Sequence, residues 1–337
     1  ARPVRRPVDF RFVTRFRRSP RVFVEDSSTR GTQSPHSPLA TALLYTSRMT
    51  QHATPMDGKA VAQRILERCQ ARVKEIIART GVTPCLATVL VGADPASVTY
   101  TQMKRKRCEA VGMKSRKVEL PESATTEQLV ATITDLGNDA SVHGILLQHP
   151  APKHVNERDA FEAIPALKDV DGVTINSFGA ISLGEAQRGY GSCTPAGIMR
   201  LLDAYDVKPS GMHAVVIGRS PILGKPMAMM LLGADATVTI CHSRTKDLPG
   251  IVRQADLIVA AVGRARFVKG DWIKPGAIVI DAGYNEGNVG DVDYEPAAAK
   301  ASMITPVPGG VGPMTIATLI DQTATGAARQ LGIDVAE

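Results

Sequence analysis

Apolar positions along the chain recur with two different periods, and the alternation between them predicts most of its elements. Over residues 57–79, Val61, Ile65, Val73 and Ile77 fall at helical spacing. Residues 85–91 read CLATVLV, an unbroken apolar run of the kind that forms a strand buried on both faces. Gly92-Ala93-Asp94-Pro95 follows. Asp94 can cap a helix and Pro95 suits its first turn, so the next helix is predicted to run to about Ala110 and to stop near Gly112. Further strands are predicted over 117–120 and 143–148 (HGILLQ), with helices over 125–139, capped by Thr126, and over 156–164. Residues 168–172, KDVDG, read as a loop.

The second half repeats the alternation. Thr194-Pro195 opens a helix over 196–205. A short apolar run, 214–217, leads into Gly218-Arg219-Ser220, a helical pattern through Met230 and a β-branched run over 236–240. Strand, glycine turn, helix and strand in that order form the βαβ unit that holds a dinucleotide at a helix N-terminus. Strands are predicted over 256–262, 276–281 and 302–305, and a last helix over 314–331. The expected fold is α/β in two domains: an N-terminal α/β substrate domain over 49–190 and a Rossmann domain over 191–313.

Charge sets residues 1–48 apart. The chain carries a net charge of +7. That segment alone holds ten arginines, no lysine and three acids, so the rest is formally neutral. A neutral body gives no electrostatic case for a nucleic-acid partner. Rich in Arg, Ser and Pro and without sustained periodicity, residues 1–48 are expected to be a disordered or non-native extension, with a natural start at Met49. The alternative is a mitochondrial transit peptide, where the rest of the pattern implies a cytoplasmic protein. Five scattered cysteines without a C-x-x-C, and seven histidines without ligand spacing, predict reduced thiols and no metal site. No apolar run is long enough to span a membrane.

Three stretches carry candidate chemistry. Gly218 and Gly224 permit a tight turn and a close helix, although such turns are common in any α/β fold. The second strand of the unit ends in Cys241-His242-Ser243-Arg244, where an NAD site usually has an acid for the ribose. Arg219, Ser243 and Arg244 suit a 2′-phosphate instead, so the cofactor is expected to be NADP. On the helix after Asp94, Tyr100 and Lys104 stand at i and i+4 and share a face. A desolvated lysine there can act as a base, but by spacing alone the pair equally describes a solvated helix. Pro306 to Pro313, PVPGGVGP, is stiff and sterically bare, and lets backbone approach a ligand.

Together these stretches resemble the bifunctional methylenetetrahydrofolate dehydrogenase/methenyltetrahydrofolate cyclohydrolase family. The matching pieces, in family order, are VGADPASVTYTQMKRKRCEAVGM, GILLQHPAP, KDVDGV, CTPAGI, VVIGRSPILGKP, ATVTICHSRT, KPGAIVIDAG and ITPVPGGVGPMT, spread over residues 55–332. The resemblance implies a cleft between the two domains that holds a tetrahydrofolate derivative, with the helix over 314–332 returning to the first domain. It implies that Lys104 is central to the cyclohydrolase step, that Tyr100 stacks on the folate, that Gln148 supports the lysine and that Asp171 anchors the pterin. It lays Pro308, Gly309, Gly310, Val311 and Gly312 along the folate, and Gly218, Arg219, Ser220, Gly224, Ser243 and Arg244 on NADP. Homodimers through the Rossmann domains are expected from the same resemblance. The chain departs from the family at His149-Pro150-Ala151, at Ser192 and at Tyr284, which is expected to touch the cofactor. Hydride transfer from a methylene bridge to nicotinamide moves no proton, and no Ser-His-Asp set is evident. The alternatives are the same fold with one of the two activities, and an unrelated two-domain NADP-dependent dehydrogenase.

Overall fold

A computed structural model of the chain describes residues 52–335, so the expectations for residues 1–48 lie outside the described residues. Two parallel sheets organise what is described. The first has three strands, β2 (Cys85–Val91) in the centre, β3 (Lys114–Leu120) on one side and β4 (Gly144–Leu147) on the other. All seven residues of β2 are buried, as its unbroken apolar run requires. Burying each of its aliphatic side chains contributes about 1.5–3 kcal/mol. The edge strand β3 alternates in exposure and begins earlier than the sequence predicts, because Lys114 and Arg116 are tolerated on an edge.

Helices connect these strands. α1 (Gly58–Thr80) is capped by Asp57, whose Oδ1 accepts from the Lys59 and Ala60 backbone at 2.9 and 3.1 Å, and it stops at Gly81, with φ of 72°. α2 (Pro95–Ala110) has Asp94 as its cap and proline in its first turn, as predicted. α3 (Thr126–Asn138) is capped by Thr125, not by Thr126. Thr125 and Gln128 form a reciprocal capping box. A short helix, α4 (Glu157–Glu162), follows β4 behind its Asn156 cap. Another, α5 (Ile175–Ser182), was not predicted.

The second sheet contains β5 (His213–Ile217), β6 (Thr237–Cys241), β7 (Leu257–Ala260), β8 (Ile278–Asp281) and β9 (Met303–Ile304), in spatial order 9-8-7-5-6. A strand that the sequence did not reveal, β1 (Thr54–Pro55), joins its edge beside β9. α6 (Cys193–Ala204) leads into this sheet and α7 (Gly224–Gly233) joins β5 to β6. Because β6 and β7 flank β5, the strand order reverses at the carboxyl end of β5, where open α/β sheets bind ligands. Two short helices, α8 (Leu248–Val252) and α9 (Tyr294–Ala298), complete this half, and α10 (Val311–Gln330) returns to pack on α1 and α6. One apolar cluster therefore runs from Val61 and Ile65 through Ile316 and Ile320 to Val216 and Leu231.

Candidate active site

The first sheet also has a switch point, at the carboxyl end of β2 between β3 and β4. Two chain segments leave there: Gly92 towards α2, and Gln148 after β4. Lys104 on α2 reaches across and donates from Nζ to Gln148 Oε1 at 3.0 Å. Gln148 is itself held, its backbone N–H donating to Val89 O and its Nε2 to His149 O, both at 2.8 Å. With Nε2 spent on a carbonyl, the amide presents its oxygen to the lysine. Burial pushes the Lys104 amine below its usual range, and Asp171 opposes the shift. In return burial raises the Asp171 carboxyl to about 6, with Lys104 pulling it back. One carboxamide, one carboxylate and one amine thus come from three segments, and Tyr100 lies one turn back on α2.

The KDVDG loop that delivers Asp171 is built residue by residue. Lys168 is buried and its Nζ donates to Gly137 O and Asp139 O at 2.8 Å, closing the end of α3. Asp169 is fully buried and accepts from the Val173 and Thr174 backbone at 3.0 Å and from the Thr174 hydroxyl at 2.6 Å. Gly172 has φ of 65°, and a Cβ there would lie 2.5 Å from Ser192 N. From α10, Gln322 Nε2 donates to Val170 O at 2.7 Å and to Gly191 O at 3.0 Å. Lys168, Asp169 and Gln322 support the site and were not singled out from sequence. The first two lie inside a motif that was, and alternating charged residues in a short loop beside glycine are the signal that could have found them.

The PVPGGVGP loop lies against the start of α1. Lys59 N donates to Gly309 O at 3.1 Å, and a Cβ on Gly58 would stand 1.8 Å from Gly310 O. Gly309 has φ of 111°. Pro308 and Gly312 are exposed, whereas Gly309, Gly310 and Val311 are buried where the loop becomes α10.

At the other switch point Gly218 adopts φ of 136°, and a Cβ there would lie 2.2 Å from Ala261 O. One on Gly224 would lie 2.4 Å from Gly218 O. The turn can close only with glycine at both positions. Ser220 Oγ accepts from the Leu223 and Gly224 backbone at 3.2 and 3.3 Å. Arg219, Ser243 and Arg244 are exposed, and neither guanidinium has an ion pair among the described residues. A bare glycine turn with two uncommitted arginines suits the pyrophosphate and extra phosphate of NADP. Tyr284, grouped from sequence with the cofactor residues, packs its ring on Tyr100. Among the described residues no cluster of His, Cys, Asp and Glu could hold a metal, and no helix is long and apolar enough to cross a membrane.

Fold and site together define a two-domain α/β protein with a dinucleotide turn in one half and a partly buried lysine site in the other. Two family models match: the catalytic domain of tetrahydrofolate dehydrogenase/cyclohydrolase over residues 56–171 and its NAD(P)-binding domain over residues 192–331. The chain belongs to the tetrahydrofolate dehydrogenase/cyclohydrolase family. It is 61% identical over 284 residues to the bifunctional protein FolD 1 of Streptomyces avermitilis, covering 84% of this chain and 98% of that protein. It is 59% identical over 280 residues to the bifunctional protein FolD of a Marinomonas species, covering 83% and 99%. The FolD crystal structure from Campylobacter jejuni superposes with a TM-score of 0.80 at 46% identity, covering 82% of this chain and 99% of that one. The FolD of Trypanosoma brucei, solved with NADP and an inhibitor, gives 0.80 at 37% identity, covering 83% and 99%.

Proposed function

We propose that the chain oxidises 5,10-methylenetetrahydrofolate to the 5,10-methenyl form with NADP and then hydrolyses it to 10-formyltetrahydrofolate. The carrying observation is the Lys104–Gln148 bond of 3.0 Å at a site where burial lowers the amine and Asp171 faces it. NADP supplies the hydride acceptor when bound. Gly218, Ser220 and Gly224 receive its pyrophosphate, and Arg219, Ser243 and Arg244 its ribose phosphate. The first step requires only that the chain orient the methylene carbon, because the flanking nitrogens stabilise the cation that forms. In the second step a water attacks the methenyl carbon. Lys104, whose charged form burial disfavours, removes one proton from that water and returns it to the nitrogen as the carbon–nitrogen bond breaks, and the second water proton leaves to solvent as the formyl carbonyl forms. Gln148 fixes the amine, Tyr100 provides a flat surface, Asp171 accepts from the pterin edge and the loop from Pro308 to Gly312 lies along the ligand. This reading includes a place in one-carbon metabolism and purine supply. It also includes a homodimer through the second domain, supported by exposed Leu232 and Ile240 on α7 and the edge strand β6.

The test follows reduced-nicotinamide absorbance with methylenetetrahydrofolate, using NADP and then NAD, and separately the decay of the methenyl absorbance. Both steps are expected, with preference for NADP. Lys104→Met should lower the decay at least 100-fold, the low end of what a positioned acid–base group provides. Undiminished decay in that variant would overturn the mechanism, and loss of one step in the unaltered chain would leave a monofunctional enzyme.

A further inference from the structure

Asp281 ends β8 and Asp291 closes the loop that follows it, and both carboxylates are buried. Asp281 Oδ1 accepts from Gly283 N and Asp291 N, both at 2.9 Å, and its Oδ2 from Val292 N at 2.8 Å. Asp291 Oδ2 accepts from Val262 N and Gly263 N at 2.6 and 2.8 Å, and its Oδ1 from Arg264 N at 2.8 Å and Asn285 Nδ2 at 3.1 Å. Asp291 thus holds the loop that leaves β7, and Asp281 holds both ends of the loop that leaves β8. A third loop joins them. Asp281 N donates to Thr305 Oγ1 at 2.7 Å, and Thr305 is where β9 runs into PVPGGVGP. A Cβ on Gly290 would lie 1.9 Å from Asp281 Oδ2 and 2.8 Å from Val307 Cγ2, so the chain fits there, between the carboxylate and that loop, only as glycine.

Burial disfavours such anions. It raises the Asp281 carboxyl to about 6, and the three N–H donors pull it back. Loop N–H groups can be left to water, yet here they are gathered on two carboxylates at the carboxyl ends of β7, β8 and β9. That is the edge of an open α/β sheet where ligands bind. We infer that Asp291, seated on Asp281, is a positioning residue for hydride transfer. It fixes the loop after β7, at the dinucleotide crevice, against the loop over 306–312, along the folate, and so sets the separation of hydride donor and acceptor. The inference rests on the proposed function, since it needs both ligands at these loops. An error of about 1 Å in such a separation costs about 100-fold in rate. Methenyl hydrolysis needs no NADP and depends on Lys104, Gln148 and Asp171 of the other half, so the two steps respond differently to loss of this clasp.

The experiment compares Asp291→Asn and Asn285→Ala with the unaltered chain. Asp291→Asn leaves one acceptor oxygen and turns an NH2 group towards N–H donors. It should lower kcat for methylenetetrahydrofolate oxidation about 10–100-fold, with kcat for methenyl hydrolysis within about twofold and equilibrium binding of NADP within about threefold. In the free protein, backbone hydrogen exchange should quicken at 262–264 and at 306–312 together. Asn285→Ala keeps the carboxylate and its three backbone donors, and should give the same pattern at about 3-fold in kcat, so it decides the matter if Asp291→Asn does not fold. Equal loss of both steps, a loss confined to NADP binding, or exchange that quickens at 262–264 alone overturns the inference. If the unaltered chain turns over neither substrate, the proposed function fails, and the clasp is read from exchange. Quickening of both loops then supports it, and quickening of one loop or of neither overturns it.

Discussion

Lys104 and Asp171 restrain each other's titration. Burial disfavours both charges, and each charge partly restores the other. In the proposed mechanism the free amine is the base in methenyl hydrolysis, so kcat for that step should rise with pH, with a midpoint below the ordinary 10.5 of lysine. Asp171→Asn removes the anion that favours the ammonium. The Lys104 amine then loses its proton more readily, and the midpoint moves to still lower pH. A profile of kcat at saturating folate checks this, and a midpoint that stays or moves up would overturn the coupling. Helical spacing made Tyr100 and Lys104 legible as a pair, since i and i+4 share a face. It could not distinguish a working lysine from a solvated one. That difference depends on Gln148, 44 residues away in sequence, and on Asp171, and non-local desolvation leaves no mark on local spacing. Gln148 and Asp171 were reached through the family resemblance. The facing of Tyr284 and Tyr100 was not reached at all, because it joins a helix beside one sheet to a loop of the other.

Among the elements, the strands were the most legible, because parallel strands covered on both faces read as unbroken apolar runs, as β2 and β5 do. The short pieces were not. β1 has two residues and α8 and α9 five each, too few for either period to repeat. α5, INSFGAIS, mixes serine and glycine with its apolar residues and is set by its Thr174 cap. The cap of α3 was read at Thr126, one residue late, and the capping box of Thr125 with Gln128 was not read at all. Lys168 shows how one element's end can position a residue of the proposed site. Its ammonium closes the last turn of α3 three residues before Asp171. Lys168→Met keeps the apolar stem and leaves those carbonyls without their charged donor, which should cost about 2–3 kcal/mol. A lower denaturant midpoint with an unchanged slope measures that loss. Methenyl hydrolysis should fall more than NADP affinity does, because the displaced loop carries Asp171 and not the dinucleotide turn.

At the scale of the whole molecule, the last helix ties together parts that the sequence separates. α10 packs on α1 from the first half and on α6 from the start of the second, and its buried small residues Ala317, Ala324 and Ala328 belong to the apolar cluster they share. Asp321 on α10 fastens all three helices, pairing with Arg72 of α1 at 2.5 Å and with Arg200 of α6 at 2.9 Å. The Arg72 side chain is only 5% exposed, against 37% for Arg200. Removing Asp321 therefore takes a carboxylate from a buried guanidinium that also donates to Thr325 Oγ1 at 3.2 Å, and breaking a buried pair from one side costs about 3–5 kcal/mol. Asp321→Ala should lower the thermal midpoint by roughly 10 °C. Arg200→Ala should lower it far less, since its partner keeps Arg72 and its own charge was half in water. The double replacement Arg72→Met with Asp321→Leu removes both charges and fills the space, and should recover most of the loss. Because one apolar cluster runs from α1 through α10 into the second sheet, all these proteins should unfold in a single transition. Separate melting of the two halves in Asp321→Ala would show that the ion pairs, and not the shared apolar core, join them.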